Sequence, residues 1–153
     1  MNHMDATQIP ISALSPSRLV RPLHAFKTIL VVEDESFVRQ MIYDTLGTAG
    51  YRVLQCGDAQ QAKALFQQYG DIVDLVIADV VLPGENGRDL AKDLLDLDSE
   101  LKVILISGYA VNLKPVAGTE RNRVFGLPKP FSSESLLRKI WQAMSSIVGE
   151  VAS

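Results

Sequence analysis

The stretch "DLVIADVVLPGENG", residues 74 to 87, carries an apolar run that ends in one carboxylate, Asp79, and then turns through Pro83 and Gly84. Four apolar residues in a row, Leu75 to Ala78, suit a strand covered on both faces, because a half-exposed strand would alternate with polar residues. Such a strand delivers Asp79 to a sheet end or a crevice. An acid there costs free energy unless something pairs with it. The neighbouring segments have to supply the partners.

Upstream, "TILVVE" (28–33) is a short β-branched run ending in acids, and "RVLQC" (52–56) is a second strand. Between them, "SFVRQMIYDTLGTAG" (36–50) places Phe37, Val38, Met41, Ile42 and Leu46 at helical spacing and ends in Gly50, a plausible C-cap. Phe37, Val38 and Met41 are expected to be mostly core and helix-face residues. Asp58 can cap a helix carrying Ala62, Leu65, Phe66 and Tyr69.

Downstream of Asp79, a helix of about 11 residues should bury Leu90, Leu94 and Leu95. "KVILIS" (102–107) is a fourth strand, and "RVFGLPK" (123–129) holds a short fifth. A last helix begins near Ser133, with Leu136, Leu137, Ile140, Trp141, Met144 and Ile147 as its expected apolar stripe. Between Ser107 and Lys129, Pro115 and Gly118 stand where a fourth helix should run, so that helix is expected to be short, displaced or mobile.

Alternation of β and α elements with near-continuous apolar strands predicts an α/β fold with one parallel sheet covered on both faces, (βα) repeated five times. The domain should run from residue 27 to 149. Residues 1–26, with Pro10, Pro16 and Pro22 and no sustained periodicity, have the composition of a flexible leader or a linker, and 150–153 form a tail.

Composition narrows the function classes. Of the 153 residues, 47% are hydrophobic and 22% charged, which is the balance of a globular domain. A net charge of −3 and the lack of any Lys/Arg cluster give no basis for nucleic-acid binding. No apolar run approaches the roughly 20 residues that span a bilayer, so no membrane contact is expected of this chain. Cys56, the single cysteine, can form no internal disulfide, and a cytoplasmic setting is expected.

In open parallel sheets, ligands sit beyond the carboxyl ends of the strands. The polar residues placed there are Glu33 and Asp34 after the first strand, Asp79 after the third, Ser107 after the fourth and Lys129 after the fifth. Three neighbouring acids repel one another unless a cation joins them. An all-oxygen site suits Mg²⁺, with Asp34 and Asp79 as candidate direct ligands, Glu33 reaching through water and the Val81 backbone carbonyl as a further oxygen. The hydroxyl and the ammonium suit a phosphoryl acceptor, in which Asp79 is the nucleophile and Ser107 and Lys129 each stabilise a phosphoryl oxygen.

"VVEDE" (31–35), "VIADVVLPGENG" (76–87), "LISGYA" (105–110) and "LPKPF" (127–131) resemble, in this order, the motifs of the response-regulator receiver domain, the family of the chemotaxis protein CheY. The resemblance covers residues 27 to 149. It implies a flavodoxin-like three-layer fold with strand order 2-1-3-4-5 and a cis peptide between Lys129 and Pro130. It also implies phosphorylation of Asp79 by a partner histidine kinase or histidine phosphotransfer protein, with Glu33 and Asp34 as metal-site acids, Ser107 as the switch hydroxyl, Lys129 as the paired lysine, and the exposed part of the first helix, which could include some of Phe37, Val38 and Met41, as a surface that docks the kinase.

Two departures from the family pattern bear on mechanism. Gly126 stands where most receivers carry the aromatic residue that couples to the hydroxyl, with Phe125 beside it. Val81 and Tyr109 occupy positions that influence hydrolysis in the family, and neither is an acid that would place a water, so slow self-dephosphorylation is expected. Two other classes compete with the phosphoacceptor: a pseudo-receiver that binds partners without phosphorylation, and a haloacid-dehalogenase-like phosphatase. The first should have lost an acid or the lysine. The second needs an acid two residues after its nucleophile, where this chain has Val81. The chain would be either a stand-alone receiver or the terminal receiver of a hybrid histidine kinase.

Overall fold

The computed structural model describes residues 27–109, 113 and 123–145. The leader, the tail, Ile147 and most of the connection after Tyr109 lie outside those residues, so the expectations made for them are not addressed. Five strands form one sheet: β1 (Thr28–Val32), β2 (Arg52–Cys56), β3 (Leu75–Asp79), β4 (Lys102–Ser107) and β5 (Val124–Pro128). Their order is β2-β1-β3-β4-β5 and every pairing is parallel. That is the flavodoxin-like topology. The described α-helices are α1 (Ser36–Thr48), α2 (Ala59–Tyr69), α3 (Gly87–Leu97) and α4 (Ser133–Ser145), and a short 3-10 turn, Gly70–Ile72, follows α2.

Side-chain alternation along the strands builds two cores, one on each face. Leu30, Val32, Val76, Ala78, Val103 and Leu105 pack with Ala62 and Phe66 of α2 and Leu90 and Leu94 of α3. Ile29, Val31, Leu75, Ile77, Ile104 and Ile106 turn to the other face and meet Ile42 and Leu46 of α1 and Leu136, Ile140 and Ala143 of α4. Because each central strand is buried on both faces, its sequence is apolar without interruption.

The helix ends follow local chemistry. Asp58 Oδ1 accepts from the Gln61 N–H at 2.8 Å, and Asn86 Oδ1 accepts from the Arg88 N–H at 2.6 Å, so both helices start on a side-chain cap. At the end of α1 the cap is Ala49, and Gly50 lies one residue beyond it with φ +96°. The Tyr51 N–H reaches the Leu46 carbonyl at 3.0 Å and the Gly50 N–H reaches Gly47 at 3.1 Å. This is the αL termination that glycine permits at least strain. The far end of α4 is tied to the sheet by Lys102, whose buried Nζ donates to the Ala143 carbonyl at 2.9 Å.

Two aromatic residues depart from expectation. Trp141 is 69% exposed and Phe37 is 85% exposed. The core line of α4 runs through Leu136, Ile140 and Ala143, and Trp141 follows Ile140 by one residue, about 100° around the helix. Phe37 is displaced in the same way from the line of Val38, Ile42 and Leu46. Strand ends also tighten: β1 stops at Val32 and leaves Glu33 to the loop, and β3 starts at Leu75.

Ile104 is fully buried at the centre of the sheet. Ile104→Ala is expected to cost about 2–5 kcal/mol in urea unfolding. Trp141→Ala, on the exposed line, should stay within about 0.5 kcal/mol of the parent.

Candidate functional site

At the carboxyl end of the sheet, β1 and β3 are neighbours and β4 lies beside β3, with Asp79 opposite Ile106. Glu33 therefore emerges on one side of Asp79 and Ser107 on the other. Asp79 is 4% exposed and Glu33 1% exposed, so two acids are buried in one crevice. Lys129, half-buried just after β5, reaches across β4 to them. Its Nζ lies 2.5 Å from Asp79 Oδ2 and 3.8 Å from Glu33 Oε1. The Lys129–Pro130 peptide is cis, as the resemblance implied.

The second oxygen of Asp79, Oδ1, accepts from the Val81 N–H at 2.9 Å. Val81 thus touches the carboxylate through its backbone, while its apolar side chain stands 63% exposed and contributes no acid. Ser107 is buried, and its Oγ accepts from the Tyr109 N–H at 3.0 Å. Tyr109 itself is 68% exposed at the rim. Asp34 lies in the turn after Glu33 and is exposed to solvent. Asp79, Glu33 and Lys129 are in mutual contact, then, while Asp34 and Ser107 flank them.

Burial shapes the electrostatics. Loss of water pushes the Glu33 carboxyl up to about 7, and the Asp79 carboxylate beside it adds to the rise. A hydrogen bond from the Glu35 N–H to Glu33 Oε2 at 3.0 Å and the charge of Lys129 offset only part of this. For Lys129, burial acts downward, yet the bond to Asp79 and the charges of Glu33, Asp79 and Glu35 outweigh it, and its pKa lies above the ordinary lysine value. Glu33 Oε1 is buried with no hydrogen-bond partner. A buried, unsatisfied carboxylate oxygen is the kind of defect that a bound ion removes. Cys56, at the end of β2, is inert by comparison, since burial pushes its thiol up to about 12.

Three contributors are absent from the sequence reading. Glu35 brings a third acid to within 3.8 Å of Lys129. Its place as the last acid of "VVEDE" was the available signal, because an N-cap glutamate that makes no side-chain cap bond is free to turn elsewhere. Gly87 opens α3, and a Cβ there would overlap the Asp79 carbonyl oxygen, so only glycine lets α3 start this close to Asp79. Arg39 Nη1 donates to the Glu33 carbonyl at 2.7 Å. The departure at Gly126 has a structural counterpart: a Cβ there would come within 3.0 Å of the Leu113 Cβ, so the Leu113 side chain packs against this glycine.

Because the pKa of Glu33 is raised on folding, its ionised form opposes folding. Between the ordinary glutamate value, 4.5, and about 7, the folded state binds the extra proton, and stability falls as pH rises. Glu33→Gln is therefore expected to be more stable than the parent at pH 8 in the presence of EDTA. That advantage should shrink towards pH 5, as read from urea midpoints.

The response regulator receiver domain family matches residues 29–141. Among curated relatives, sensor kinase CckA of Brucella abortus (strain 2308) is 36% identical over 110 residues, which are 71% of this chain and 12% of that protein. Chemotaxis protein CheY of Thermotoga maritima is 26% identical over 115 residues, covering 74% of this chain and 94% of the relative. The chain spans about half the transcriptional regulatory protein AruR of Pseudomonas aeruginosa, 52% of its length, at 32% identity. Among solved structures, the receiver domain of the hybrid histidine kinase CckA superposes with a TM-score of 0.67 at 31% identity, over 77% of this chain and 99% of that one. The chemotaxis response regulator CheY4 of Vibrio cholerae gives 0.66 at 27% identity, over 78% of this chain and 99% of that one. This chain belongs to the response regulator receiver domain family of two-component signal transduction.

Proposed function

We propose that Asp79 accepts a phosphoryl group from a phosphohistidine on a histidine kinase or a histidine phosphotransfer protein, and that the covalent change alters contacts with protein partners. The observation that carries this reading is the Lys129 ammonium 2.5 Å from Asp79 Oδ2, inside a crevice that buries both Asp79 and Glu33. A structural ion pair would not need two further acids drawn to the same ammonium. The likeness to the receiver of a hybrid histidine kinase supports the choice of donor.

The carboxylate of Asp79 is already a nucleophile when ionised, so no general base is required. One of its oxygens bonds to phosphorus as the P–N bond to the donor imidazole breaks, and the ring nitrogen keeps the electron pair. Lys129, which faces Asp79 in the resting state, is placed to neutralise a phosphoryl oxygen. Ser107, whose Oγ accepts from the Tyr109 N–H, would turn its hydroxyl proton to another phosphoryl oxygen. The Val81 N–H holds the carboxylate in orientation.

The chemistry of the donor set fits Mg²⁺. The acids of the crevice offer oxygen donors, among them Glu33 Oε1, which makes no hydrogen bond, and Asp34 is open to solvent where a hydrated ion would enter. Asp34 and Asp79 would hold the ion directly with the Val81 carbonyl, and Glu33 would act through water. Among the described residues no group of three or more acidic, His or Cys side chains is gathered as a metal site, so the fit rests on the oxygen chemistry of these groups. When bound, the ion supplies positive charge where the phosphoryl group transfers.

Incubation with acetyl phosphate and Mg²⁺ is expected to add one phosphoryl group by intact mass. The adduct should vanish in Asp79→Ala and with EDTA, and Lys129→Ala should slow its formation by about 10²-fold or more. No adduct on a folded protein that binds Mg²⁺ would overturn this reading. A second expectation concerns lifetime. Val81 and Tyr109 offer no acid to position an attacking water, so the phosphoryl group should outlast that of the chemotaxis regulators when decay is followed by mass after removal of the donor. Val81→Asp should shorten it.

A further inference from the structure

The turn that carries the acids, Glu33 to Glu35, sits between two strand ends. On one side it is fastened by the backbone, with the Glu33 N–H donating to the Cys56 carbonyl at 3.1 Å. On the other side α1 holds it by a backbone bond, the Arg39 N–H to the Glu35 carbonyl at 2.9 Å, and by a side chain. Arg39, one turn into α1, sends Nη1 back to the Glu33 carbonyl at 2.7 Å, a short charge-assisted bond. The same guanidinium nitrogen lies 3.4 Å from where a Cβ on Gly57 would stand, so the absent side chain after β2 leaves room for the guanidinium. Arg39 is half-buried and thus spans α1, the loop after β1 and the end of β2.

We infer that Arg39 is a positioning residue for the metal-site acids: its guanidinium fixes the Glu33 carbonyl, and with it the direction in which Glu33 and Asp34 leave the backbone. The inference rests on the proposed metal site. A guanidinium this close to an acidic crevice has two effects of opposite sign. As a charge it repels a divalent cation, and its removal should tighten binding. As a clamp it holds the acids in place, and its removal should weaken binding. The geometry favours the clamp, because the bond is made to a backbone carbonyl rather than to either carboxylate.

The two effects separate in a titration of the whole chain with Mg²⁺ alone by calorimetry, comparing the parent, Arg39→Gln and Arg39→Lys. Positioning predicts that Arg39→Gln binds Mg²⁺ roughly 10-fold more weakly, the usual scale for losing a group that orients a ligand. Arg39→Lys, which keeps the charge on a single donor, should fall between the two. Saturating Mg²⁺ should restore most of the phosphorylation rate with acetyl phosphate. Unchanged or tighter binding in Arg39→Gln would overturn the inference.

Amide hydrogen exchange in EDTA gives a readout without the metal. Asp34 and Glu35 should exchange faster in Arg39→Gln while the amides of β4 stay as protected as in the parent. Equal exchange at 34 and 35 would count against the clamp. Equally faster exchange throughout β4 would mean that Arg39 supports the fold generally, which also overturns it. A parent protein that binds no Mg²⁺ would end the metal-site reading, and the exchange experiment would still decide the role of Arg39. Should Arg39→Gln not fold, Arg39→Lys carries both measurements.

Discussion

Burial of two carboxylates around one ammonium is the constraint on which the site depends. Asp79 and Glu33 are both withdrawn from water, and Lys129 is shared between them and Glu35. A buried ion pair contributes little to stability once desolvation is counted, and removing one partner is costly. One ammonium cannot neutralise three acids. Burial first, and the Asp79 carboxylate beside it second, raise the pKa of Glu33, and its buried Oε1 makes no hydrogen bond. The resting crevice is therefore poised to gain positive charge.

Everything around the crevice holds that imbalance in place. The sheet is apolar on both faces up to the last residue of each central strand, so the polar groups can lie only at the strand ends. Parallel pairing puts those ends on one edge, and the order 2-1-3-4-5 sets Asp79 between the ends of β1 and β4. Backbone contacts then fix the fine geometry. The Val81 N–H orients the carboxylate, and Gly87 lets α3 begin directly against the Asp79 carbonyl. A displacement of Asp79 is in this way also a displacement of the start of α3.

On the side of β5, the absence of an aromatic at Gly126 is a packing fact as well as a sequence departure. Leu113 lies against the glycine, and a side chain there would have to displace it. Phe125 is half-buried on the opposite face, packed against the core shared with α1 and α4. Aromatic motion from position 126 is not available to this chain. Ser107 is instead bonded to the Tyr109 N–H through its hydroxyl and to the Lys129 N–H through its carbonyl.

The sequence by itself determined the sheet and which polar groups gather at its carboxyl edge. Uninterrupted apolar runs such as Leu75–Ala78 specify two-sided burial, and motif order placed Glu33, Asp79, Ser107 and Lys129 at strand ends, because both depend on local pattern and connectivity. Only the tertiary structure decided what depends on distance. Trp141 and Phe37 look like core residues on a helical pattern, but one residue is about 100° of helix, and which line meets the sheet is set by docking. Glu35 and Arg39 are ordinary charged residues in the chain, and Gly87 is an ordinary turn glycine. Their roles exist only because the fold brings Lys129, the Glu33 carbonyl and the Asp79 carbonyl against them.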